Sequence, residues 1–332
     1  MKENAKRAWD FWNQFGPSPI CLAPMAEVND LAFRILCRRH NVKVCYTGML
    51  NSIQWSQGRK YQNRVFNTCE EDRPLIAQLA GSDYDTIFTS AKDLSQVCDA
   101  IDVNLGCTQH IARRGGYGFF MVDTPEKRAE VLKLFKKLSE NVDVPITAKI
   151  RIFTKETEET TDQDKEAESI QIPDIEGTID FAKKLEEAGV SVIAVHGRYQ
   201  HRNKKADVST DIIKKVVEAV KIPVIANGGV NSAEDAASLL KETNAAGIMV
   251  GQALLVNPTL FDPSGPLKRK DFAKEYLEIA KKHPEINIFY PRKHMFKFYE
   301  SAIKESPGIE TKIKEATTID DLIAFVDEIE KE

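Results

Sequence analysis

The chain has 332 residues, 42% of them apolar, 29% charged and 8% aromatic, with 46 Lys and Arg against 50 Asp and Glu. This composition supports a large buried core and excludes a disordered, collagen-like or disulfide-stapled protein, and the length suits one domain of about 250 residues with a smaller one of about 70. A formal net charge of −4 speaks, taken as an average, against a partner as negative as nucleic acid.

The first sixteen residues, MKENAKRAWDFWNQFG, contain no continuous apolar stretch, so no secretory signal is expected. The most apolar run, Ala246–Val256, is interrupted by Gly247, Gly251 and Gln252 and falls far short of the ~20 residues of a membrane span. The six cysteines, Cys21, Cys37, Cys45, Cys69, Cys98 and Cys107, form no C-x-x-C pair. That pattern suits a reducing compartment and offers no metal framework. An intracellular protein, cytoplasmic or nuclear, without membrane or metal partners and monomeric, is therefore expected.

Short β-branched runs alternate with amphipathic windows along most of the chain. The candidate strands, in order, are Pro19–Pro24, Val42–Thr47, Pro74–Ala80, Ala100–Leu105, Pro145–Ile150, Val190–His196, Ile222–Ala226 and Ala246–Val250. Between them, Asp123–Asn141 opens on Asp-Thr-Pro, and Ser209–Val220 repeats Ile212, Ile213, Val216, Val217 and Val220 at helical spacing. Eight such units within ~240 residues predict an α/β fold with a closed parallel (β/α)8 TIM barrel over residues 1–261. After the fifth strand, residues 155–176 are acidic and lack an apolar period, which predicts a mobile insertion on the active face. Beyond the turn-rich Asp262–Pro266 only helical patterns remain, at Phe272–Lys282, His294–Glu305 and Ile319–Lys331. Residues 262–332 are thus expected to form a small all-helical C-terminal domain.

Catalytic groups of such barrels sit at the C-terminal ends of the strands. Here those ends read Ala23-Pro24-Met25-Ala26, Gln78-Leu79-Ala80-Gly81, Asn104-Leu105-Gly106-Cys107, Lys149-Ile150-Arg151, His196-Gly197-Arg198, Asn227-Gly228-Gly229 and Gly251-Gln252. Polar or glycine-bearing ends recur around the whole ring. Asn227-Gly228-Gly229 and Gly251-Gln252 close strands seven and eight, where backbone N–H groups commonly hold a phosphate, although N-G-G is also a common turn. Strand alternation puts Lys149 and Arg151 on the face opposite Ala148 and Ile150. A Lys inside a barrel is costly unless an anion or polar ligand edge pairs with it, or its head snorkels to solvent. With His196 and Arg198 it favours an anionic, planar ligand. Cys107 stands in a glycine-containing turn before Ala112-Arg113-Arg114-Gly115-Gly116-Tyr117-Gly118, a flexible basic loop that suits a thiol used in proton transfer, whereas Cys21, Cys45 and Cys98 read as small core residues.

In this order and spacing, over residues 19–256, these segments resemble the successive signatures of the tRNA-dihydrouridine synthases. Tyr117-Gly118 and Gly48-Met49-Leu50 look most like the eukaryotic-type subfamily that reduces uridines sixteen and seventeen of the D-loop. The resemblance implies an FMN-binding catalytic barrel with NADPH as reductant, a tRNA substrate and a tRNA-binding helical domain. It implies hydride delivery from reduced FMN to C6 of a flipped-out uracil and protonation of C5 by Cys107. Lys149, His196 and Gln78 would contact the isoalloxazine, with Pro24, Met25 and Ala26 packed along it. Asn227, Gly228, Gly229, Gly251 and Gln252 would hold the ribityl phosphate. Asn104 and Arg151 would approach the uridine, and Arg198, Arg113 and Arg114 would bind the RNA.

Two positions depart from the family pattern: Thr108 follows the Cys where Pro is usual, and Gln252 stands where many members have Arg. The charge also divides along the chain. Residues 155–176 carry a net −7, residues 266–299 a net +5 and residues 300–332 a net −6. The basic groups Arg38-Arg39, Arg113-Arg114, Arg198, Arg202, Lys204-Lys205, Lys268-Arg269-Lys270, Lys281-Lys282, Arg292-Lys293 and Lys297 therefore suffice for a phosphate-binding track from barrel mouth to tail. Two other readings use the same residues: a flavin-dependent barrel dehydrogenase of a small pyrimidine, which needs no basic tail, and a catalytically decayed RNA-binding relative, against which Cys107, Lys149 and His196 speak. A guanidinium at position 252 would make a bidentate contact with a phosphate. Gln252→Arg is accordingly expected to tighten FMN binding in a fluorescence titration, and unchanged or weaker affinity would contradict this.

Overall fold

The computed structural model describes residues 2–158, 169–199, 207–284 and 288–329, and in it each of the eight apolar runs forms a strand. In chain order the strands are β1 (Ile20–Leu22), β2 (Val44–Tyr46), β3 (Leu50–Asn51), β4 (Leu75–Ala80), β5 (Ala100–Leu105), β6 (Ile146–Glu158), β7 (Ser169–Asp174), β8 (Val192–Tyr199), β9 (Val224–Asn227) and β10 (Gly247–Val250). Parallel pairing runs β1-β2-β4-β5-β6-β8-β9-β10, and β10 pairs back with β1, so the barrel closes. The two-residue β3 extends the ring beside β4.

Alternation sorts the side chains into two cores. Cys21, Val44, Tyr46, Ile76, Ala100, Val192, Ala194, Ile225 and Met249 fill the interior, and Trp12 closes its lower end by donating its indole N–H to the Ala246 carbonyl at 3.0 Å. Residues of the opposite parity, such as Leu22, Leu79, Val103, Ala148, Ile150 and Val195, join the layer beneath the surrounding helices. Those helices start where a short polar side chain satisfies an otherwise orphan N–H. Asp30, Asp83, Thr124, Asp174, Ser209 and Ser232 cap the helices Leu31–Arg39, Tyr84–Leu94, Pro125–Asn141, Ile175–Glu187, Thr210–Ala219 and Ala233–Thr243.

The acidic segment departs from expectation. Its ends are ordered structure, because β6 continues to Glu158 and pairs antiparallel with β7 from Phe153↔Asp174 to Glu158↔Ser169. Residues 159–168 lie outside the described residues. The ribbon needs no apolar period, since a backbone ladder holds it and its base is anchored by Ile152 and Phe153, both fully buried. The Arg128 guanidinium lies 3.9 Å over the Phe153 ring.

The C-terminal region is helical as expected, with Arg269–Lys282, Phe289–Phe298, Glu300–Glu305, Gly308–Glu315 and Ile319–Ile329. The continuous helix expected at His294–Glu305 is broken around Tyr299, and Gly308–Glu315 is an additional element. Among the described residues no helix is long and apolar enough to cross a membrane, and no group of three or more His, Cys, Asp or Glu is placed to hold a metal ion.

Asp30 joins this region to the barrel. Besides capping the helix Leu31–Arg39, it takes a 2.6 Å contact from His294 Nε2 and a 3.1 Å hydrogen bond from the Tyr276 hydroxyl, with Phe33 stacked on the His294 ring at 4.4 Å. His294 is wholly buried. Removing the acceptor strands the buried His294 N–H and costs the helix its cap. Asp30→Ala is therefore expected to lower stability by about 2–4 kcal/mol, measured by urea unfolding, and a loss below about 1 kcal/mol, the value of the helix cap alone, would contradict it.

Candidate active site

Strand register aligns the polar residues at the barrel's C-terminal end. Gln78 lies beside Asp102 and Asp102 beside Thr147, forming a lower layer; above it Asn104 lies beside Lys149, Arg151 beside His196, and His196 beside Asn227. In the lower layer Asp102 accepts from Thr147 Oγ1 at 2.6 Å and from Gln78 Nε2 at 2.7 Å. Gln78 Oε1 accepts from Asn104 Nδ2 at 2.8 Å. Burial pushes the Asp102 carboxyl up to about 6, against those two hydrogen bonds and the charge of Lys149.

Asn104 carries the network upward. Its side-chain oxygen accepts from the backbone N–H groups of Gly106 (3.2 Å) and Cys107 (3.0 Å), and its amide also reaches the Met49 sulfur at 3.1 Å. From the other side, the Phe119 N–H donates to the Cys107 carbonyl at 3.0 Å. Gly118 makes that return possible: its φ is +68°, and a Cβ there would stand 2.8 Å from the Cys107 oxygen. The turn around Cys107 is thus tied down on both sides rather than flexible, and residues His110–Gly115 form a short helix.

Arg151 acts as a bridge. Its Nε donates to the Gly106 carbonyl at 3.0 Å and its Nη2 meets His196 Nδ1 at 3.1 Å. A guanidinium only donates, so Nδ1 is the acceptor and the His196 proton resides on Nε2. Burial, reinforced by Lys149, Arg151 and Arg198, pushes His196 down to about 2, so its ring is neutral. Burial and the neighbouring Arg151 bring Lys149 down to about 8. Its ammonium makes no hydrogen bond or ion pair among the described residues.

These groups surround a cavity of about 910 Å³ at the barrel mouth. Every expected site residue lines it except Gln78, Arg113 and Arg114: Pro24, Met25, Ala26, Asn104, Cys107, Lys149, Arg151, His196, Arg198, Asn227, Gly228, Gly229, Gly251 and Gln252 are all present. Gln78 is fully buried beneath the cavity with its carboxamide engaged by Asp102 and Asn104, so it supports the site instead of facing a ligand. Arg113 and Arg114 are exposed on the helix beyond Cys107. At the end of β9, Gly228 and Gly229 adopt φ of +117° and +76°, and a Cβ at Gly228 would meet His196 and Val208 within 3.1 Å. Met49, Tyr199, Asn231, Leu255 and Lys297 are among the further residues that line it. Of the expected phosphate-binding track, Arg38 is committed to Asp72 and to the Pro74 carbonyl, and Arg202, Lys204 and Lys205 lie outside the described residues.

Sequence reasoning did not pick out Asp102 and Thr147 as part of this arrangement. An acid in the middle of the apolar run AIDVNL was the available signal for Asp102, since a charge at an inward barrel position needs partners.

A model of the family described as dihydrouridine synthase (Dus) matches residues 21–318. The chain belongs to this family. It is 32% identical over 323 residues to the NAD(P)(+) tRNA-dihydrouridine(16/17) synthase-like protein of Rattus norvegicus, covering 96% of this chain and 68% of that one. It is 33% identical over 239 residues to the NAD(P)+ tRNA-dihydrouridine(20a/20b) synthase-like protein of Homo sapiens, covering 72% and 69%. Identities this similar do not separate the two target classes. Among solved structures, morphinone reductase superposes with a TM-score of 0.53 at 12% identity, over 78% of this chain and 88% of that one, and so shares the fold.

In this member of the dihydrouridine synthase family the lone ammonium of Lys149 carries a folding cost. Between pH 8 and 10.5 the unfolded chain holds the Lys149 proton while the folded one releases it, so stability attributable to this group rises with pH over that window. After allowance for the part of the side chain open to the cavity, Lys149→Met is expected to stabilise the ligand-free protein at pH 7 by about 2 kcal/mol. The gain should shrink toward pH 10. Urea unfolding at both pH values checks this, and an equal gain at both would contradict it.

Proposed function

We propose that this enzyme is an FMN-dependent tRNA-dihydrouridine synthase that reduces the C5=C6 bond of a uridine with NADPH as the electron source. The observation that carries the reading is the convergence, in one cavity, of an unpartnered Lys149 ammonium, the His196 Nε2–H and the Cys107 thiol.

The residues present fit flavin mononucleotide. An unpaired, half-buried cation and a neutral N–H donor suit the electron-rich pyrimidine edge of an isoalloxazine, Pro24, Met25 and Ala26 line the same cavity, and the backbone of Gly228-Gly229, without side chains, borders it where a phosphate would sit. When bound and reduced, FMN supplies a hydride to C6 of the uracil. The protein's own part is proton supply and charge placement. Addition at C6 leaves an enolate-like carbanion at C5, and the Cys107 thiol donates the proton that quenches it. Asn104 and Phe119 hold Cys107 in place for that transfer.

Two of the expected roles are revised in this reading. Asn104 has its carboxamide engaged on both sides, so it positions Cys107 instead of reading the uridine. Arg151 spends Nε and Nη2 on Gly106 and His196, which leaves Nη1 for a uracil oxygen. Arg198 and Tyr199 line the mouth through which a flipped-out base would enter, and Arg113 and Arg114 lie outside it for the RNA backbone. D-loop positions sixteen and seventeen are the proposed targets, on the Tyr117-Gly118 and Gly48-Met49-Leu50 segments. The cavity's match to a planar, electron-rich ligand with a phosphate supports this reading over a decayed RNA-binding relative.

Purified protein is expected to be yellow, to oxidise NADPH and to raise the dihydrouridine content of unmodified tRNA. Cys107→Ala should keep the flavin spectrum while product formation falls by about 10²–10⁴-fold. Full turnover in that variant would exclude Cys107 as the acid, and NADPH oxidation without tRNA modification would favour a small pyrimidine substrate.

A further inference from the structure

The cavity wall between β9 and β10 lacks a charge. Asn227, Gly228, Gly229, Val230, Asn231, Gly251 and Gln252 are all uncharged, whereas Lys149, Arg151 and Arg198 stand together on β6 and β8. Among the described residues the remaining cation lining the cavity is Lys297, and it comes from the C-terminal helical region. We propose that Lys297 supplies the counter-charge for the phosphate of the bound flavin, so that the helical region is part of the cofactor site. This rests on the flavin reading above.

Placement comes from packing. The helix Phe289–Phe298 lies against the short helix Gln252–Val256 that follows β10, and Gln252 and Leu255 line the same cavity. His294, Met295 and Phe298 are buried on its inner face, which fixes its rotation. Lys293 and Lys297, four residues apart, share the face turned to the barrel mouth. Lys293 is paired with Glu27, next to Ala26 of the cavity wall. Lys297 therefore reaches the cavity from the β10 side, beside Gly251 and Gln252, neither of which brings a charge.

Its present contact does not compete strongly. Lys297 Nζ lies 3.3 Å from Glu300 Oε2, with the side chains 40% and 46% exposed, and Lys304 also approaches Glu300 at 3.8 Å. An exposed pair of this kind contributes little. A phosphate dianion held by backbone N–H groups in a partly closed cavity offers an ammonium a stronger, charge-assisted partner.

The test uses the full chain stripped of flavin and titrated with FMN and, separately, with riboflavin, which lacks the phosphate. Lys297→Met is expected to raise the FMN dissociation constant about ten-fold and to leave riboflavin binding unchanged. Adding Gln252→Arg to Lys297→Met should restore FMN binding by placing a cation on the neighbouring helix. Unchanged FMN affinity in Lys297→Met would overturn the proposal. Equal weakening of both flavins would also overturn it, since that marks a structural role, as would a loss confined to tRNA binding. A wild-type chain that binds neither flavin overturns the flavin reading itself, and this inference with it.

Discussion

Asp102 is enclosed in the barrel, and its carboxylate is kept there by Thr147 and Gln78. Gln78 in turn accepts from Asn104, and Asn104 accepts from the backbone of Cys107. A buried polar group without partners is expensive, so each member of this chain constrains the next. The result is a continuous line of hydrogen bonds from the closed lower core to the turn that presents the thiol. The cavity floor is rigid because a carboxylate inside a barrel tolerates only a fully satisfied arrangement.

Above that floor the same logic runs with opposite sign. Lys149 and Arg151 lie on one strand, and burial, reinforced by the positive charges of Lys149, Arg151 and Arg198, keeps His196 neutral. Because Arg151 occupies His196 Nδ1, the tautomer with a proton on Nε2 is selected. The mouth of the barrel is left with a lone ammonium, a neutral N–H donor and a thiol. That set is costly in the free protein and complementary to an electron-rich ring, which is the usual bargain between stability and function at a binding site.

The helical region docks through His294, Asp30 and Tyr276 on the outside of the barrel, yet the same helix carries Lys293 and Lys297 over the barrel mouth. Packing and ligand chemistry are therefore set by two faces of one helix. The buried face fixes the rotation that brings the charged face over the cavity.

Eight apolar runs with polar C-terminal ends were enough to read the barrel, and strand parity put Lys149 and Arg151 on one face and Ala148 and Ile150 on the other, which the fold resolves as cavity and outer core. These features are local: a period of two and the chemistry of a strand end survive in any context that forms the strand. The roles of Gln78, Asn104 and Arg151 were not legible, because a carboxamide or guanidinium at a strand end looks the same in sequence whether it faces a ligand or a neighbour. Which it faces depends on the register between β4, β5, β6 and β8, a relation among residues about 25 to 45 apart in the chain. The β6–β7 ribbon was hidden for a related reason, since a backbone ladder needs no apolar pattern. The arrival of Lys297 at the cavity belongs to the same class. Sequence determines what each segment can bury and which groups it can offer, and only the folded packing of segments distant in the chain decides which of those groups meet.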